Sequence, residues 1–319
     1  MYYIESIRTA LELLIVENNA YVIGEDVEDP YGGAFKVTKG LSTVYPDNVL
    51  NMPMCEQGMM GLACGMSLMG ERVILEIMFG DFVTLICDQM INHAAKFHDL
   101  YNMDLNLVVR TPSGGYRGYG ATHSQSLERL FFCIPGMQVV APNILTDPGK
   151  LLEVSLNSGT PTLFVENKAD YSKEMFSEES DFFSLEIFGN SYPIAKLEVG
   201  GEKPDISIIT YGGMVSYAMQ AARELFYEEE LAIEIVVLSN LSELYGIRGY
   251  INTKKILVVE EGVCDFGWGS QVTCELIGIS NVIVERLGAK KSSIPCSKDV
   301  EEDCLVTKQK IIDVIMKRL

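Results

Sequence analysis

Hydrophobic residues recur along the chain in two patterns, one typical of amphipathic helices and one typical of buried strands. The first segment, SIRTALELLIVENN, has helical spacing, which predicts a helix whose apolar face comprises Ile7, Ala10, Leu11, Leu13, Leu14 and Val16. Short apolar runs predict parallel strands with loops at their carboxyl ends: AYVIGEDV, RVILEIMF, LNLVVRTPSGG, MQVVAPN and TPTLFVEN. A long helical pattern lies between the second and third runs, VTLICDQMINHAAKFHDLY. This alternation predicts a doubly wound α/β domain.

The same alternation returns in the second half of the chain, after a polar and acidic stretch at 169–203. Its predicted elements are DISIITYG, the helix MVSYAMQAARELFYEEE, AIEIVVLS, KKILVVEEG, a helix near 268–278, and NVIVERLG. The sequence therefore predicts two doubly wound α/β domains, at 1–175 and 204–319, joined by an interdomain connection at 176–203.

Composition narrows the function classes. The 319 residues carry a formal net charge of −19, which argues against nucleic acid or an anionic membrane as the main partner. The eight cysteines are scattered without a CxxC pair, so their spacing is not typical of a zinc site. We interpret them as reduced core thiols and expect a cytoplasmic protein. No apolar stretch reaches the roughly 18 residues of a membrane span, and the amino terminus does not resemble a signal peptide.

Candidate chemistry gathers at the predicted strand ends, where ligands collect in open α/β sheets. Glu56 is the lone acid of the run MPMCEQGMMGLACGMSLMG. It is either a helix cap favoured by the dipole or a carboxyl group with a raised pKa, able to share a proton with a heterocycle nitrogen. Glu25 follows the first strand in GEDV. His123 lies in a glycine-rich loop and is either an acid–base group or an ordinary loop histidine.

At these residues the chain resembles the beta subunits of heterotetrameric thiamine-diphosphate-dependent 2-oxoacid dehydrogenases, with a transketolase-like pyrimidine-binding domain and a transketolase C-terminal-like domain. The resemblance covers about residues 4–315 and rests on several short sequence motifs taken together. These are GEDV, YGGAFKVTKGL, PMCEQG, DQMINHAAK, HSQS, PGMQVVAPN, TPTLFVEN and VVEEG. It implies an enzyme that decarboxylates a 2-oxoacid and passes the acyl group to lipoamide, like the pyruvate, branched-chain oxoacid and acetoin enzymes.

The resemblance also implies site residues. Glu56 matches the glutamate that bonds N1′ of the cofactor's aminopyrimidine and stabilises its imino tautomer, which then takes the proton of thiazolium C2. His123 matches an active-site histidine that positions substrate or handles protons. The remaining cofactor-binding candidates are an aromatic that stacks on the pyrimidine, a loop acid close to the cofactor, and two flanking methionines: Phe82, Glu25, Met54 and Met78.

No Gly-Asp-Gly motif for the diphosphate and Mg²⁺ occurs in the sequence, so we expect no metal site in this chain. The resemblance implies that an alpha subunit holds both, in an α2β2 tetramer with a beta–beta contact. We therefore expect this chain alone to be inactive.

Two segments depart from the family pattern. PSGGYRGYGATHSQS adds Tyr116, Arg117 and Tyr119 beside His123, and Arg117 is either a ligand for a substrate carboxylate or phosphate or a partner of a surface acid. RLGAKKSSIPCSKDVEEDC leaves docking to a lipoyl acyltransferase open. Two alternatives therefore stay open. One is a carboligase subunit that transfers the acyl unit to a carbonyl or sugar, and the other is a non-catalytic scaffold for an alpha subunit.

Overall fold

Two six-stranded sheets form the frame of the computed structural model, which describes residues 1–177, 182–199 and 201–319. All strand pairs of the first sheet are parallel. Its strands in spatial order are β2 (Val49–Asn51), β1 (Tyr21–Gly24), β3 (Val73–Glu76), β4 (Leu107–Ser113), β6 (Thr162–Asn167) and β5 (Gln138–Val140). Every apolar run that was predicted as a strand in this half of the chain contains one of these strands.

The strand register brings the loops of the first sheet to one edge. Gly24 at the end of β1 lies beside Glu76 at the end of β3, and Glu76 lies beside Arg110 of β4. Ser113 at the end of β4 lies beside Asn167 at the end of β6. Because parallel strands end at the same side, the segments that follow them share one surface.

The helices of this half are α1 (Tyr3–Asn18), α2 (Leu41–Val44), α3 (Glu56–Leu68), α4 (Phe97–Tyr101) and α5 (Pro148–Leu156), with 3-10 helices at Gly80–Ile86, Ala94–Lys96 and Glu128–Leu130. Helix α1 buries Ile7, Leu11 and Leu14, as its spacing predicts. Leu13 and Val16 were wrongly assigned to its apolar face, because they are 50% and 61% exposed.

The long helix predicted over 83–101 is broken into short pieces. The 3-10 helix is followed by a π-helix at Gln89–His93, a second 3-10 turn, and only then α4. The loop at 135–136 packs against the break: Lys96 Nζ donates to the carbonyl of Pro135 at 3.0 Å, and a Cβ on Gly136 would meet the carbonyl oxygen of Ala95 at 1.9 Å. Apolar periodicity does not report such a local change of hydrogen-bonding pattern.

The second sheet is mixed. Its strands in spatial order are β12 (Ile283–Ala289), β11 (Lys255–Val263), β9 (Ile206–Thr210), β10 (Ile233–Leu238), β8 (Ile194–Val199) and β7 (Phe183–Phe188). Strand β8 runs antiparallel to both of its neighbours, β10 and β7. Its helices are α6 (Met214–Glu229), α7 (Trp268–Leu276), α8 (Lys298–Cys304) and α9 (Lys308–Arg318), with a 3-10 helix at Ile247–Tyr250. None of the described helices is long and apolar enough to cross a membrane.

The predicted connection at 176–203 holds β7 and β8, which extend the second sheet. Residues 178–181 and 200 of this segment lie outside the described residues. The polarity of the segment follows from its position at the sheet edge, where Ser184, Glu186 and Ile187 of β7 are exposed. The domain boundaries at 175 and 204 stay a prediction.

Alternate residues of the central strands enter two different apolar clusters. Val108 and Ile208 belong to one cluster, and Val109 and Ile209 belong to the other. Both faces of the central strands are therefore buried, as expected for strands covered by helices on both sides. Each cluster draws residues from both sheets, so the two doubly wound halves share their cores, and the predicted fold class is confirmed.

Candidate active site

Two carboxylates meet at the strand-end edge of the first sheet. Glu25 directly follows β1 and is 8% exposed. Its Oε1 atom is buried and has no hydrogen-bond partner among the described residues. Burial raises the pKa of Glu25, and the neighbouring charge of Glu56 raises it further. A buried carboxyl group with a free oxygen is suited to hold a proton between itself and a ligand atom.

Glu56 opens α3, where a negative charge is favoured by the helix dipole. Its side chain is partly exposed, so Glu25 and not Glu56 is the more buried member of the pair. Met54, two residues earlier, is 84% exposed in the loop between β2 and α3. The sequence shows that apolar residues are the neighbours of Glu56 along the chain. It does not show that the start of α3 is exposed to solvent.

Aromatic rings line the neighbouring part of the edge. Phe82 lies in the 3-10 helix that follows β3, and its ring centroid is 5.3 Å from that of His123 at an interplanar angle of 82°. Phe79 contacts the same imidazole edge-on at 4.7 Å. Met78 is partly buried next to them. The arrangement gives His123 two perpendicular phenyl neighbours and forms an apolar wall at the same strand-end edge as the carboxylates.

The loop that carries His123 is fixed by buried polar groups. Lys168, directly after β6, donates from Nζ to the backbone carbonyl of His123. Burial lowers the pKa of Lys168 to about 8, although the nearby Asp81 opposes this shift. Asp81 Oδ1 in turn accepts hydrogen bonds from Gln125 N at 3.2 Å and from its Nε2 at 2.9 Å. His123 is therefore held from both sides of its own loop.

The three added residues of this loop point in different directions. The hydroxyl of Tyr116 donates to the carbonyl of Val306 at 2.7 Å, so it is directed into the second domain. Arg117 is exposed, and its Nη2 donates to the carbonyl of Lys168 at 2.9 Å. Only Tyr119 joins the aromatic wall, with its ring centroid 5.9 Å from that of Phe79.

A buried ion cluster that sequence reasoning missed lies under the edge. Arg110 Nε and Nη2 donate to the two carboxylate oxygens of Glu166 at 2.8 and 2.7 Å, and Nη1 donates to Glu76. Burial would lower the pKa of Arg110, but the two carboxylates outweigh it and raise this pKa. The signal was present in the sequence, because RVILE, NLVVR and TLFVE each end an apolar run with a charge.

A second group of missed acids joins the two domains. Glu261 of β11 accepts from the amide of Gly115 at 2.8 Å and from Asn167 Nδ2 at 2.5 Å. Glu128 accepts from the hydroxyl of Tyr211 at 2.5 Å. Burial raises the pKa of Glu261 to about 7. The motif VVEEG, which contains Glu261, is visible in the sequence. Its role as an interdomain contact depends on which residues of the first domain lie opposite it.

The edge as a whole suits a flat nitrogen heterocycle. A carboxylate pair can hold a proton at a ring nitrogen, and the phenyl and imidazole rings can pack on the faces of such a ring. No group of three or more His, Cys, Asp or Glu side chains within 1–177, 182–199 and 201–319 could hold a metal ion.

Comparison with known proteins matches both halves of the chain to described families. Residues 3–173 match the family described as "Transketolase, pyrimidine binding domain", and residues 195–311 match "Transketolase, C-terminal domain". The beta subunit of the pyruvate dehydrogenase E1 component from Cyanidium caldarium is 30% identical over 100% of this chain and 98% of its own length. The beta subunit of acetoin:2,6-dichlorophenolindophenol oxidoreductase from Cupriavidus necator is 32% identical over 88% and 86%.

A solved structure has the same fold over nearly the whole length. It is titled as a split gene transketolase in the form of an inactive beta4 tetramer. It superposes with a TM-score of 0.70 at 19% sequence identity, and the match covers 99% of this chain and 97% of that chain. At this identity the likeness concerns the fold alone.

Proposed function

Since the chain belongs to the transketolase-like family of 2-oxoacid dehydrogenase beta subunits, we propose that it is the beta subunit of a heteromeric thiamine-diphosphate-dependent enzyme that decarboxylates a 2-oxoacid. The observation that carries the proposal is that the interacting pair Glu25 and Glu56 and the ring pair Phe82 and His123 follow strands that end at the same edge of the first sheet. An aminopyrimidine needs a carboxyl group at one ring nitrogen and apolar contact on its faces, and this edge offers both.

Each residue of the edge has a defined task in this proposal. Glu56 holds a proton at N1′ of the aminopyrimidine, and Phe82 packs on the pyrimidine face. Glu25 lies near the same ring, where its buried and unpartnered Oε1 gains a hydrogen-bond partner on binding. Met78 completes the apolar wall. A hydrogen bond to a carboxylate is stronger in surroundings of low polarity. Ligand binding that excludes water therefore strengthens the hydrogen bond between Glu56 and N1′.

His123 works on the substrate side of the edge. Its ring is fixed by Phe79 and Phe82, and its Nδ1 lies 3.0 Å from Thr122 Oγ1. A positioned imidazole can orient a 2-oxoacid carboxylate or move a proton at the reacting carbonyl oxygen. When it is bound, thiamine diphosphate supplies the thiazolium that accepts the electrons left behind as CO2 departs.

An alpha subunit completes the enzyme in this proposal and holds the diphosphate and Mg²⁺, in an α2β2 tetramer with a beta–beta contact. Helix α3 supports such a partner. A Cβ on Gly61 or Gly65 would have nothing within 4 Å among the described residues, and Leu62, between them, is 44% exposed. Two glycines weaken an exposed helix, so their presence is best explained by a second backbone that packs closely on this face. Met54, exposed just before α3, is available to the same partner.

Lipoamide is the proposed acyl acceptor, in line with relatives named as pyruvate dehydrogenase subunits. Transfer to a carbonyl or sugar acceptor is the alternative, and an assay with free lipoamide against small aldehydes separates the two. We keep the cytoplasm as the proposed compartment. All eight cysteines are free thiols, which suits a reducing environment. Their interpretation as core thiols was wrong for Cys55, Cys133, Cys274 and Cys296, which are exposed.

The experiment that tests the proposal is calorimetric titration of thiamine diphosphate with Mg²⁺ into this chain alone, into its alpha partner alone, and into the pair. We expect tight binding only to the pair. Glu56→Gln in the pair should weaken binding, whereas Glu17→Gln, on the exposed side of α1, should leave it unchanged. Tight binding to this chain alone would contradict the divided cofactor site.

A further inference from the structure

A cavity of about 340 Å³ lies between the loop that carries His123 and the second domain. Its first wall is formed by residues from 121–129, and its second wall by residues from 289–294. Residues 261–263 and Leu305 complete it. The second wall belongs to a segment in which the sequence departs from the pattern of its family, and the folded chain brings this segment against the loop that follows His123.

The cavity is lined by cations in an otherwise acidic protein. Arg129, Lys290 and Lys291 all line it, whereas the whole chain has 25 lysines and arginines against 44 acids. Asp265 interacts with two of these cations. Its carboxylate lies 2.9 Å from Lys291 Nζ, and its backbone carbonyl accepts a hydrogen bond from Arg129 at 3.1 Å. The ammonium group of Lys290 has no hydrogen-bond or salt-bridge partner within the part of the chain that the structure describes.

Hydroxyl groups surround the same space. Ser124, Ser126, Ser292 and Ser293 line the cavity together with the three cations. Ser124 is 1% exposed, and its Oγ has no hydrogen-bond partner among the described residues. A buried hydroxyl without a partner is unfavourable, so a ligand oxygen in the cavity would relieve it.

The one acid that lines the cavity is turned away from it. Glu261 uses both carboxylate oxygens to accept from Gly115 and Asn167 of the first domain. Burial also raises its pKa to about 7, which reduces its negative charge at neutral pH. Glu261 therefore opposes a bound anion less than an exposed glutamate would.

We propose that this cavity binds the phosphate group of a small molecule. The residues that line this one space carry a guanidinium group, two ammonium groups and four hydroxyl groups, which is more donors than the two oxygens of a carboxylate can use and which suits the oxygens of a phosphate. A volume of about 340 Å³ lies at the lower end of the range of ligand pockets. The phosphate belongs either to a substrate of the enzyme or to a separate metabolite that acts on the neighbouring His123 loop.

Calorimetric titration of inorganic phosphate into the full chain tests the proposal without any activity, so its failure is distinct from failure of the proposed function. Lys290→Ala combined with Lys291→Ala should weaken phosphate binding by about tenfold or more. The matched control is Lys254→Ala with Lys255→Ala. It removes the same charge at the opposite end of β11, about 25 Å away along the strand. We expect the control to bind phosphate like the wild type.

Ser124→Ala is the second variant and should weaken phosphate binding severalfold, because it removes a buried donor. Thermal unfolding without phosphate verifies that each variant is folded. The proposal is overturned if the wild-type chain binds no phosphate at tens of millimolar, or if both lysine pairs weaken binding equally, which would indicate a general charge effect.

Steady-state kinetics of the assembled enzyme separate the two sources of the phosphate. If the group belongs to a substrate, inorganic phosphate should raise the KM of that substrate and leave kcat unchanged. If it belongs to a separate metabolite, phosphate should change kcat at saturating substrate. Unchanged kcat and KM at phosphate concentrations that fill the cavity would contradict a functional site.

Discussion

Glu301 of the second domain accepts a hydrogen bond at 2.9 Å from the backbone amide of Gly118, in the loop that leads to His123. Its other oxygen accepts from the amide of Tyr116 at 3.0 Å. Glu301 is fully buried in α8. One carboxylate from the second domain thus fixes two amides of a loop in the first domain, and the position of His123 depends on how the two domains dock.

Replacement of Glu301 tests this coupling. Glu301→Gln leaves only one acceptor oxygen for two amides, so one buried N–H loses its partner. We expect the free energy of unfolding to fall by about 1–3 kcal/mol in urea titration, and the amides of Tyr116 and Gly118 to exchange hydrogen faster.

The matched control is Glu302→Gln, the exposed neighbour in the same helix, which should stay within about 0.5 kcal/mol of the wild type. Equal effects of the two variants would mean that the loop does not depend on the Glu301 carboxylate.

The sequence located the candidate site because its main residues follow apolar runs. Glu25 and Glu56 lie at predicted strand ends or helix starts, and parallel strands bring such ends together. The direction of Tyr116 was not predictable. Its backbone has a φ of 67°, and its ring packs on Tyr217, more than a hundred residues away along the chain. Lys168 was missed for the same reason, since its partner is a backbone carbonyl in a distant loop.

Glu56→Gln tests the proton-holding role of that carboxylate. A glutamine keeps the size of the side chain but cannot carry the negative charge or exchange a proton, so turnover of the assembled enzyme should fall by about 10²–10⁴-fold. Assembly with the alpha subunit should be unchanged, as measured by size-exclusion chromatography. Unchanged kcat would remove Glu56 from the chemistry, and Glu17→Gln serves as the control for a lost surface charge.

The buried cluster of Arg110 predicts a large loss of stability when it is broken. Arg110→Met leaves Glu76 and Glu166 buried without their counter-charge, at an expected cost of about 3–5 kcal/mol. The triple variant Glu76→Gln, Arg110→Met and Glu166→Gln removes all three charges and should be less destabilised than the single variant. Denaturant titration of both variants measures this difference. A triple variant that is less stable than Arg110→Met would contradict the explanation that unpaired buried charges cause the loss.

The two buried glutamates of β11, Glu260 and Glu261, should make the stability of the chain depend on pH. Burial raises the pKa of both Glu260 and Glu261 to about 7, from an ordinary 4.5. Between these values the unfolded chain releases the proton and the folded chain keeps it. The free energy of unfolding should therefore decrease from about pH 4.5 to about pH 7, by at most about 1.4 kcal/mol per pH unit for each glutamate. Glu260→Gln with Glu261→Gln should flatten this slope in denaturant titrations at several pH values.

Helix α3 predicts opposite effects on the free chain and on its assembly. Gly61 and Gly65 are exposed, and a Cβ at either position would meet nothing within 4 Å among the described residues, so a larger side chain there can extend into solvent in the free chain. Leucine is also the better helix former, so Gly61→Leu and Gly65→Leu should each raise the free energy of unfolding by up to about 1 kcal/mol. The same side chains would separate two closely packed backbones, so alpha-subunit binding should weaken by at least about tenfold in calorimetry.

Gly249→Ala in the second domain is the control for these substitutions, since its Cβ position is equally open and it lies outside α3. It should leave alpha binding unchanged. If the leucine variants of α3 bind the alpha subunit as tightly as the wild type, then this face is not the contact, and the two glycines need another explanation. If they stabilise the free chain and abolish binding together, the glycines are retained for assembly at the expense of the stability of the isolated subunit.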